Sequence, residues 1–215
     1  MSEHITVNID DQEIKARPGH KLLWAALENN IYIPHLCAIK EEKRPNSSCR
    51  LCFVEIEGVS RPVTACSRQV QEGMVVKTRS PQVDRLVKTA FELLLSDHNL
   101  NCRECPANRN CALQKIAKER GIKLKHNRLK PFNRTFELDD SPDEFALDRS
   151  RCVLCGQCVW ADRVGAEAWI FGFAKRGIDR VLTTFNNLPL AELSCNECTL
   201  CVDACPVGAL YYKKD

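Results

Sequence analysis

Residues 194–206 read Ser-Cys-Asn-Glu-Cys-Thr-Leu-Cys-Val-Asp-Ala-Cys-Pro. The four cysteines follow the spacing C-x2-C-x2-C-x3-C-P, which is typical of thiolate ligands to a cubic 4Fe–4S cluster. In such runs the fourth cysteine reaches over to a second cluster, so the motif predicts another cysteine triplet in the chain. That triplet is found upstream, as Cys152, Cys155 and Cys158. The two runs together predict a pair of cluster sites in residues 143–215.

The pairing of the two runs leaves one position without a cysteine. By the crossover rule, the first cluster takes Cys152, Cys155, Cys158 and Cys205. The second cluster takes Cys195, Cys198, Cys201 and the residue four positions after Cys158, which is Asp162. Three outcomes stay open: Asp162 ligates the fourth iron through oxygen, the fourth iron is missing and a 3Fe–4S cluster remains, or the last triplet holds nothing. We expect a cluster there, with Asp162 nearby.

Fourteen cysteines in 215 residues raise the alternative of a disulfide scaffold. That alternative requires a secreted protein, and residues 1–10 have neither the basic nor the apolar region of a signal peptide. No apolar run approaches the roughly 20 residues of a membrane span. We therefore expect a cytoplasmic chain without a membrane span, whose reduced thiols serve metal or redox chemistry.

The net charge of +3 is unevenly distributed along the chain. Basic side chains exceed acidic ones in residues 79–138, and the reverse holds in residues 139–215. The densest basic stretch, residues 115–134, could bind nucleic acid, but it contains a single aromatic residue, Phe132. A solvated face or a dock for an acidic partner is favoured over a zinc-rich nucleic-acid-binding protein.

The first 78 residues alternate between strand and helix patterns. The strand patterns cover residues 4–9, 12–17, 51–57 and 74–78, and a helical pattern covers residues 21–29. A small sheet that grips one helix is therefore predicted, which is an α+β domain of the β-grasp type.

Four cysteines in this first domain have the spacing C-x11-C-x2-C-x13-C: Cys37, Cys49, Cys52 and Cys66. The central pair matches the plant-type 2Fe–2S pattern, in which two thiolates bind each iron. Zinc is the alternative, but four-thiolate zinc sites usually contain two short C-x2-C pairs and only one is present. His35 is near enough to be a ligand, although with four cysteines available we expect it to serve packing.

Residues 79–120 are predicted to form a helical segment with a cluster site of mixed ligands. A helical pattern over residues 82–96 leads into the motif H-x3-C-x2-C-x5-C, formed by His98, Cys102, Cys105 and Cys111. Imidazole can replace thiolate on an iron–sulfur cluster and raises its potential. Zinc fits this ligand set equally well, and the neighbouring cluster motifs favour 4Fe–4S. A helix over residues 111–120 follows, and then a connector, residues 121–142.

Residues 143–215 are predicted to form a bacterial two-cluster ferredoxin-like domain. Between its two cysteine runs, residues 168–174 and 180–185 have the composition of a β-hairpin. Residues 210–212 would supply a closing strand.

The order of these motifs resembles three related families over roughly residues 1–212. They are the small diaphorase subunit of NAD-reducing nickel–iron hydrogenases, the N-terminal part of the complex I iron–sulfur large subunit and the N-terminal part of iron-only hydrogenases. The last two continue into large further domains, whereas this sequence ends at Asp215. We therefore expect the diaphorase type.

That resemblance implies a set of cofactors. The 2Fe–2S cluster would be bound by Cys37, Cys49, Cys52 and Cys66. Two 4Fe–4S clusters would be bound by His98, Cys102, Cys105 and Cys111, and by Cys152, Cys155, Cys158 and Cys205. The crossover rule adds a further 4Fe–4S or 3Fe–4S cluster at Cys195, Cys198 and Cys201, with Asp162 at the fourth ligand position.

The resemblance also implies a role and partners. The chain would be a subunit of an oxidoreductase that passes single electrons between a hydrogenase module and a flavin- and NAD-binding diaphorase large subunit. Its other partners would be a small iron–sulfur hydrogenase subunit and a nickel–iron large subunit, in an obligate heteromultimer that binds no nucleic acid. The sequence has neither G-x-G-x-x-G nor a P-loop, so no nucleotide site is predicted. It also has no recognisable acid–base pair, so no catalytic residue is predicted. A relay subunit of a complex I-like or formate dehydrogenase-like enzyme is the alternative.

Overall fold

The computed structural model describes residues 4–126, 128–132, 134–195 and 198–213. The chain divides into two compact units, residues 1–92 and 93–215. Across the described ranges, no helix combines the length and apolar character needed to cross a membrane.

The first unit is built on a five-stranded mixed sheet and one short helix. Its elements are β1 (Ile5–Ile9), β2 (Gln12–Ala16), α1 (Leu22–Glu28), β3 (Phe53–Ile56), β4 (Val63–Thr64) and β5 (Met74–Lys77). The strand order is β2-β1-β5-β3-β4, in which β1 and β5 are parallel and the other pairs antiparallel. The β1–β2 turn is formed by Asp10 and Asp11, both in the left-handed conformation that a tight hairpin requires.

The core of this unit lies between the sheet and α1. Val7 of β1 pairs with Ile14 of β2, and both side chains are buried. They share one apolar cluster with Leu23 of α1. Two predicted ligands, Cys52 and Cys66, belong to the same cluster. Part of the predicted metal site therefore lies within the apolar core of this unit.

Helix α2 (Pro81–Ser96) begins with a side-chain cap, because the backbone N–H of Val83 donates to Ser80 Oγ at 3.1 Å. Val83, Val87 and Phe91 are completely buried, as the predicted apolar face requires.

The second unit consists of short elements. They are α3 (Ala112–Arg120), β6 (Phe145–Leu147), α4 (Gln157–Trp160), β7 (Phe171–Ala174), β8 (Val181–Thr184), α5 (Leu200–Asp203) and β9 (Leu210–Tyr212). Single 3-10 turns occupy Cys102–Glu104, Arg149–Arg151, Gly177–Asp179, Phe185–Asn187 and Leu190–Glu192, and a π-helical turn follows α4 at Ala161–Gly165. Strands β6 and β9 pair antiparallel, and β7 and β8 form the predicted hairpin.

The core of the second unit is assembled around cysteine side chains. Cys158 and Cys201 are buried in one cluster with Phe145, Phe171 and Leu182. Two-stranded sheets are marginally stable alone, so this unit depends on what its sulfur-rich core contains.

The segment 121–142 has no helix or strand among its described residues. It is fastened by Arg134, whose guanidinium donates two hydrogen bonds to the carboxylate of Asp97. The backbone N–H of Phe132 also donates to the carbonyl of Ser96 at 2.7 Å.

We expect Val7→Ala to lower the free energy of unfolding by about 2 kcal/mol, because it removes two buried methyl groups and leaves a cavity. The control is Val59→Ala, since Val59 is 40% exposed in a turn of the same unit. Urea denaturation monitored by circular dichroism compares the two variants. Equal losses of stability would contradict this account of the core.

Candidate metal centres

The four cysteines of the first unit are all buried and lie in two pairs. Cys37 and Cys49 are hydrogen-bonded to each other, and the backbone N–H of Cys49 also donates to Cys37 Sγ at 3.4 Å. Cys52 and Cys66 form the second hydrogen-bonded pair. The paired arrangement matches the requirement of a two-iron cluster, which takes two thiolates at each iron.

Within each pair, one thiol is the easier to ionise. The hydrogen bond from Cys49 lowers the pKa of Cys37, and the hydrogen bond from Cys52 lowers the pKa of Cys66. The Ser47 hydroxyl lies 3.4 Å from Cys66 Sγ and lowers that pKa further. The thiolate is the metal-binding form of cysteine, so these contacts favour the ionisation that ligation needs.

Three short cysteine turns contain a non-glycine residue with positive φ. Arg50 has φ 56° in the turn before Cys52, Leu154 has φ 53° in the turn before Cys155, and Thr199 has φ 54° in the turn after Cys198. This conformation is uncommon for residues other than glycine. A residue in this conformation can direct neighbouring backbone N–H groups into one concavity, as at many anion and iron–sulfur sites. Nothing in the sequence marks these residues beyond their place between cysteines.

The mixed-ligand motif begins at a buried histidine. Burial lowers the pKa of His98 to about 4, so the imidazole is neutral and able to ligate metal. Its Nδ1 is buried and has no hydrogen-bond partner in the described part of the chain, while the Arg151 backbone hydrogen-bonds the ring. The charged side chains with the largest effect on the ring are Arg151, Asp148 and Asp97. A buried nitrogen that the protein itself leaves unsatisfied is the feature expected of a metal ligand.

The three cysteines of that motif lie close to one another. Cys102 is the first residue of a single 3-10 turn, Cys105 is the residue that follows this turn, and Cys111 is the N-cap residue of α3. Burial raises the pKa of the Cys111 thiol, and the charges of the other two raise it further.

Gly208 provides space for this motif. A Cβ atom at position 208 would lie 2.6 Å from Cys105 Sγ, closer than non-bonded atoms approach. The backbone N–H of Ala112 donates to the carbonyl of Pro206 at 2.9 Å. The segment that follows Cys205 therefore packs directly against the mixed-ligand motif, and the two predicted sites are neighbours. Sequence reasoning missed Gly208, although its position two residues after the Cys-Pro pair was a usable signal.

The next four predicted ligands share one small cavity with apolar walls. It is lined by Cys152, Cys155, Cys158, Cys205, Phe173 and Leu182. Burial raises the pKa of Cys152 to about 11 and also raises those of Cys158 and Cys205. Backbone N–H groups of Leu154 and Leu210 donate to Cys152 Sγ and Cys205 Sγ, each at 3.4 Å.

The last triplet spans the range from buried to exposed. Cys201 is buried, Cys195 is partly buried and Cys198 is exposed. Burial, with the charges of Cys195, Cys198 and Asp162, raises the pKa of Cys201 to about 12. The charge of Asp162 therefore acts on Cys201, while its carboxylate accepts a hydrogen bond from the Phe171 N–H at 2.9 Å.

Within residues 4–126, 128–132, 134–195 and 198–213, no three His, Cys, Asp or Glu side chains form a group that could hold a single metal ion.

Three family models match the chain. They describe a 2Fe-2S iron-sulfur cluster binding domain at residues 2–81, an NADH-ubiquinone oxidoreductase-G iron-sulfur binding region at residues 88–126 and a 4Fe-4S binding domain at residues 191–211. With the cysteine groups described above, they define a mixed α/β protein with several iron–sulfur binding domains.

The similarity to known proteins extends over nearly all of this chain. A chain in the crystal structure of an NAD+-reducing [NiFe]-hydrogenase in the H2-reduced state is 32% identical, with a TM-score of 0.87, over 97% of this chain and 87% of that one. The mitochondrial NADH-ubiquinone oxidoreductase 78 kDa subunit of Neurospora crassa is 32% identical over 97% of this chain and 28% of its own length. NADP-reducing hydrogenase subunit HndD of Solidesulfovibrio fructosivorans is 32% identical over 96% of this chain and 36% of its own length.

The chain belongs to the family of iron–sulfur proteins that includes this chain of the NAD+-reducing [NiFe]-hydrogenase, as the order of its motifs predicted. It contains several iron–sulfur binding domains. It spans about a third of the length of the two curated relatives named above.

We expect Gly208→Ala to remove iron from the mixed-ligand motif, because a metal-bound Cys105 sulfur cannot rotate away from the added methyl group. Gly172→Ala is the control, since a Cβ there meets no atom within 4 Å. Iron content and the electron paramagnetic resonance (EPR) spectrum of the reduced protein measure the effect. Identical iron content and spectra in both variants would show that Gly208 makes no contribution to the site.

Proposed function

We propose that this chain relays single electrons between a hydrogenase module and a flavin-bearing, NAD-reducing partner subunit. The observation that carries the proposal is the direct packing of neighbouring sites, in which Gly208, three residues after Cys205, contacts the Cys105 sulfur. Electron transfer between centres requires that they be close. The likeness to a chain of an NAD+-reducing [NiFe]-hydrogenase supports the choice of partners.

The proposed ligand sets follow the groups on the fold. Cys37 and Cys49 hold one iron of a 2Fe–2S cluster, and Cys52 and Cys66 hold the other. Two 4Fe–4S clusters are held by His98, Cys102, Cys105 and Cys111, and by Cys152, Cys155, Cys158 and Cys205. A fourth cluster is held by Cys195, Cys198 and Cys201. The corresponding domains are residues 1–78, 79–120 and 143–215, with residues 121–142 as connector.

These residues fit such clusters on their own chemistry. The donors are soft thiolates and one neutral imidazole, and His98 Nδ1 is a buried nitrogen without a partner in the described part of the chain. A cysteine-lined cavity is present for the Cys152 set. When bound, iron–sulfur clusters supply reversible one-electron transfer.

The chain's own residues exclude water and set the electrostatics of each site. Phe173 and Leu182 form the apolar wall beside Cys152, which keeps the local dielectric low. The N–H groups of Leu154 and Leu210 point at ligand sulfurs and stabilise the negative charge that increases on reduction. The conversion of single electrons into hydride would be the work of the partner's flavin.

A relay subunit of a complex I-like enzyme is the second candidate, favoured by the identity to the NADH-ubiquinone oxidoreductase 78 kDa subunit. Purification of the native assembly without oxygen, followed by mass spectrometry of its subunits, distinguishes the two. The proposal predicts nickel and hydrogenase subunits in the complex. Quinone-reducing oxidoreductase subunits without nickel would support the second candidate.

The same preparation should be brown, with visible absorption that bleaches on reduction. A colourless protein that contains zinc and binds DNA in a salt-dependent manner would overturn the relay proposal in favour of a nucleic-acid-binding function.

We expect His98→Cys to retain a cluster and to lower its midpoint potential, because a thiolate brings a negative charge that imidazole lacks. An EPR-monitored redox titration measures the shift. The control is His4→Cys, which changes an exposed histidine at the start of the first unit. An unchanged titration in both variants would remove His98 from the ligand set.

A further inference from the structure

Asp162 occupies the position at which the crossover rule places the fourth ligand of the last cluster. It lies in the π-helical turn Ala161–Gly165, directly after α4. Such turns are frequent at functional sites. The side chain is only 4% exposed, so its oxygens must find partners within the protein.

The partners of the Asp162 carboxylate are backbone amides. Its Oδ2 accepts the Phe171 N–H at 2.9 Å, and the Ile170 N–H makes a second hydrogen bond to the carboxylate. The Asp162 carbonyl also accepts the Ala168 N–H at 3.1 Å. Asp162 therefore accepts hydrogen bonds from three backbone N–H groups, those of Ala168, Ile170 and Phe171, within the four residues that end at the first residue of β7.

The loop between Gly165 and β7, to which Asp162 is hydrogen-bonded, contains two residues in an unfavourable backbone conformation. Glu167 and Trp169 both have left-handed backbone angles, with φ of 54° and 56°. Ile170 and Phe171 are nearly buried at the end of this loop, where an amide without an acceptor would be costly. The hydrogen bonds to Asp162 therefore determine where the hairpin β7–β8 begins.

We infer that Asp162 is a positioning residue for this loop and not a ligand, so that Cys195, Cys198 and Cys201 alone hold a three-iron cluster. The inference rests on the proposed function for the cofactor itself. A 4Fe–4S cluster needs a ligand at each of four corners, whereas a 3Fe–4S cluster needs only the three thiolates that the triplet supplies. The Asp162 carboxylate keeps its hydrogen bonds to the backbone N–H groups of Ile170 and Phe171 and does not bind iron.

The test uses the full chain in its native complex, purified without oxygen, with three substitutions at position 162. Asp162→Asn keeps an oxygen that accepts the two amide hydrogen bonds, Asp162→Ala removes it, and Asp162→Cys introduces the missing thiolate. Iron content of this subunit and the EPR spectrum of the oxidised protein are measured. A 3Fe–4S cluster is paramagnetic when oxidised, whereas oxidised 2Fe–2S and 4Fe–4S clusters are silent.

We expect the unsubstituted subunit to contain about 13 iron atoms and to give the three-iron signal. Asp162→Asn should leave both unchanged, and Asp162→Cys should raise the iron content by about one atom and abolish the signal. Asp162→Ala should lower the apparent melting temperature by roughly 5 °C, and Asp162→Asn should restore it. Glu197→Gln, which removes the carboxylate inside the cysteine run itself, should also leave the signal unchanged.

Other outcomes overturn the inference. About 14 iron atoms, with the three-iron signal appearing only in Asp162→Asn or Glu197→Gln, would make that carboxylate a ligand. About ten iron atoms would show an empty triplet, while the relay through the other sites stands. A subunit without iron would instead refute the proposed function.

Discussion

The burial of sulfur is the constraint on which the rest of this structure depends. Burial raises the pKa of Cys152, Cys201 and Cys205, because a charged thiolate is costly away from water. The thiolate is nevertheless the form that binds metal. Iron and the N–H donors of the cysteine turns must together offset the cost of ionisation. Metal uptake and folding are consequently linked in free energy.

This linkage explains the uneven construction of the two units. The first unit has a five-stranded sheet whose core extends well beyond its cysteines. The second unit has two two-stranded sheets and helices of only four residues at both ferredoxin-like runs. Its apolar cluster includes Cys158 and Cys201. The first unit therefore has an apolar core that is formed largely by residues other than cysteine. In the second unit, cysteine side chains form part of the core.

The sequence was sufficient for features that are local in the chain. Cysteine spacing predicted which cysteines lie close together, and the hydrophobic period predicted β1, α2 and the β7–β8 hairpin within a few residues. Features that depend on contacts between residues far apart in the sequence could not be predicted from it. The role of Gly208 appears only once the chain brings it to Cys105. The hydrogen bond from Phe171 to Asp162 joins residues nine positions apart across a loop whose path no pattern predicted.

The two ends of the β7–β8 hairpin differ in how tightly they are packed. Phe173 and Leu182 face each other across its strands and close the cavity beside Cys152, and Arg180 stacks on Phe173 at 4.0 Å. The turn at its tip carries Ile178, which is 70% exposed. Added length in such a turn costs little entropy. The tip is therefore a point where evolution, or an engineer attaching a fluorescent label, can insert residues without disturbing the sulfur ligands.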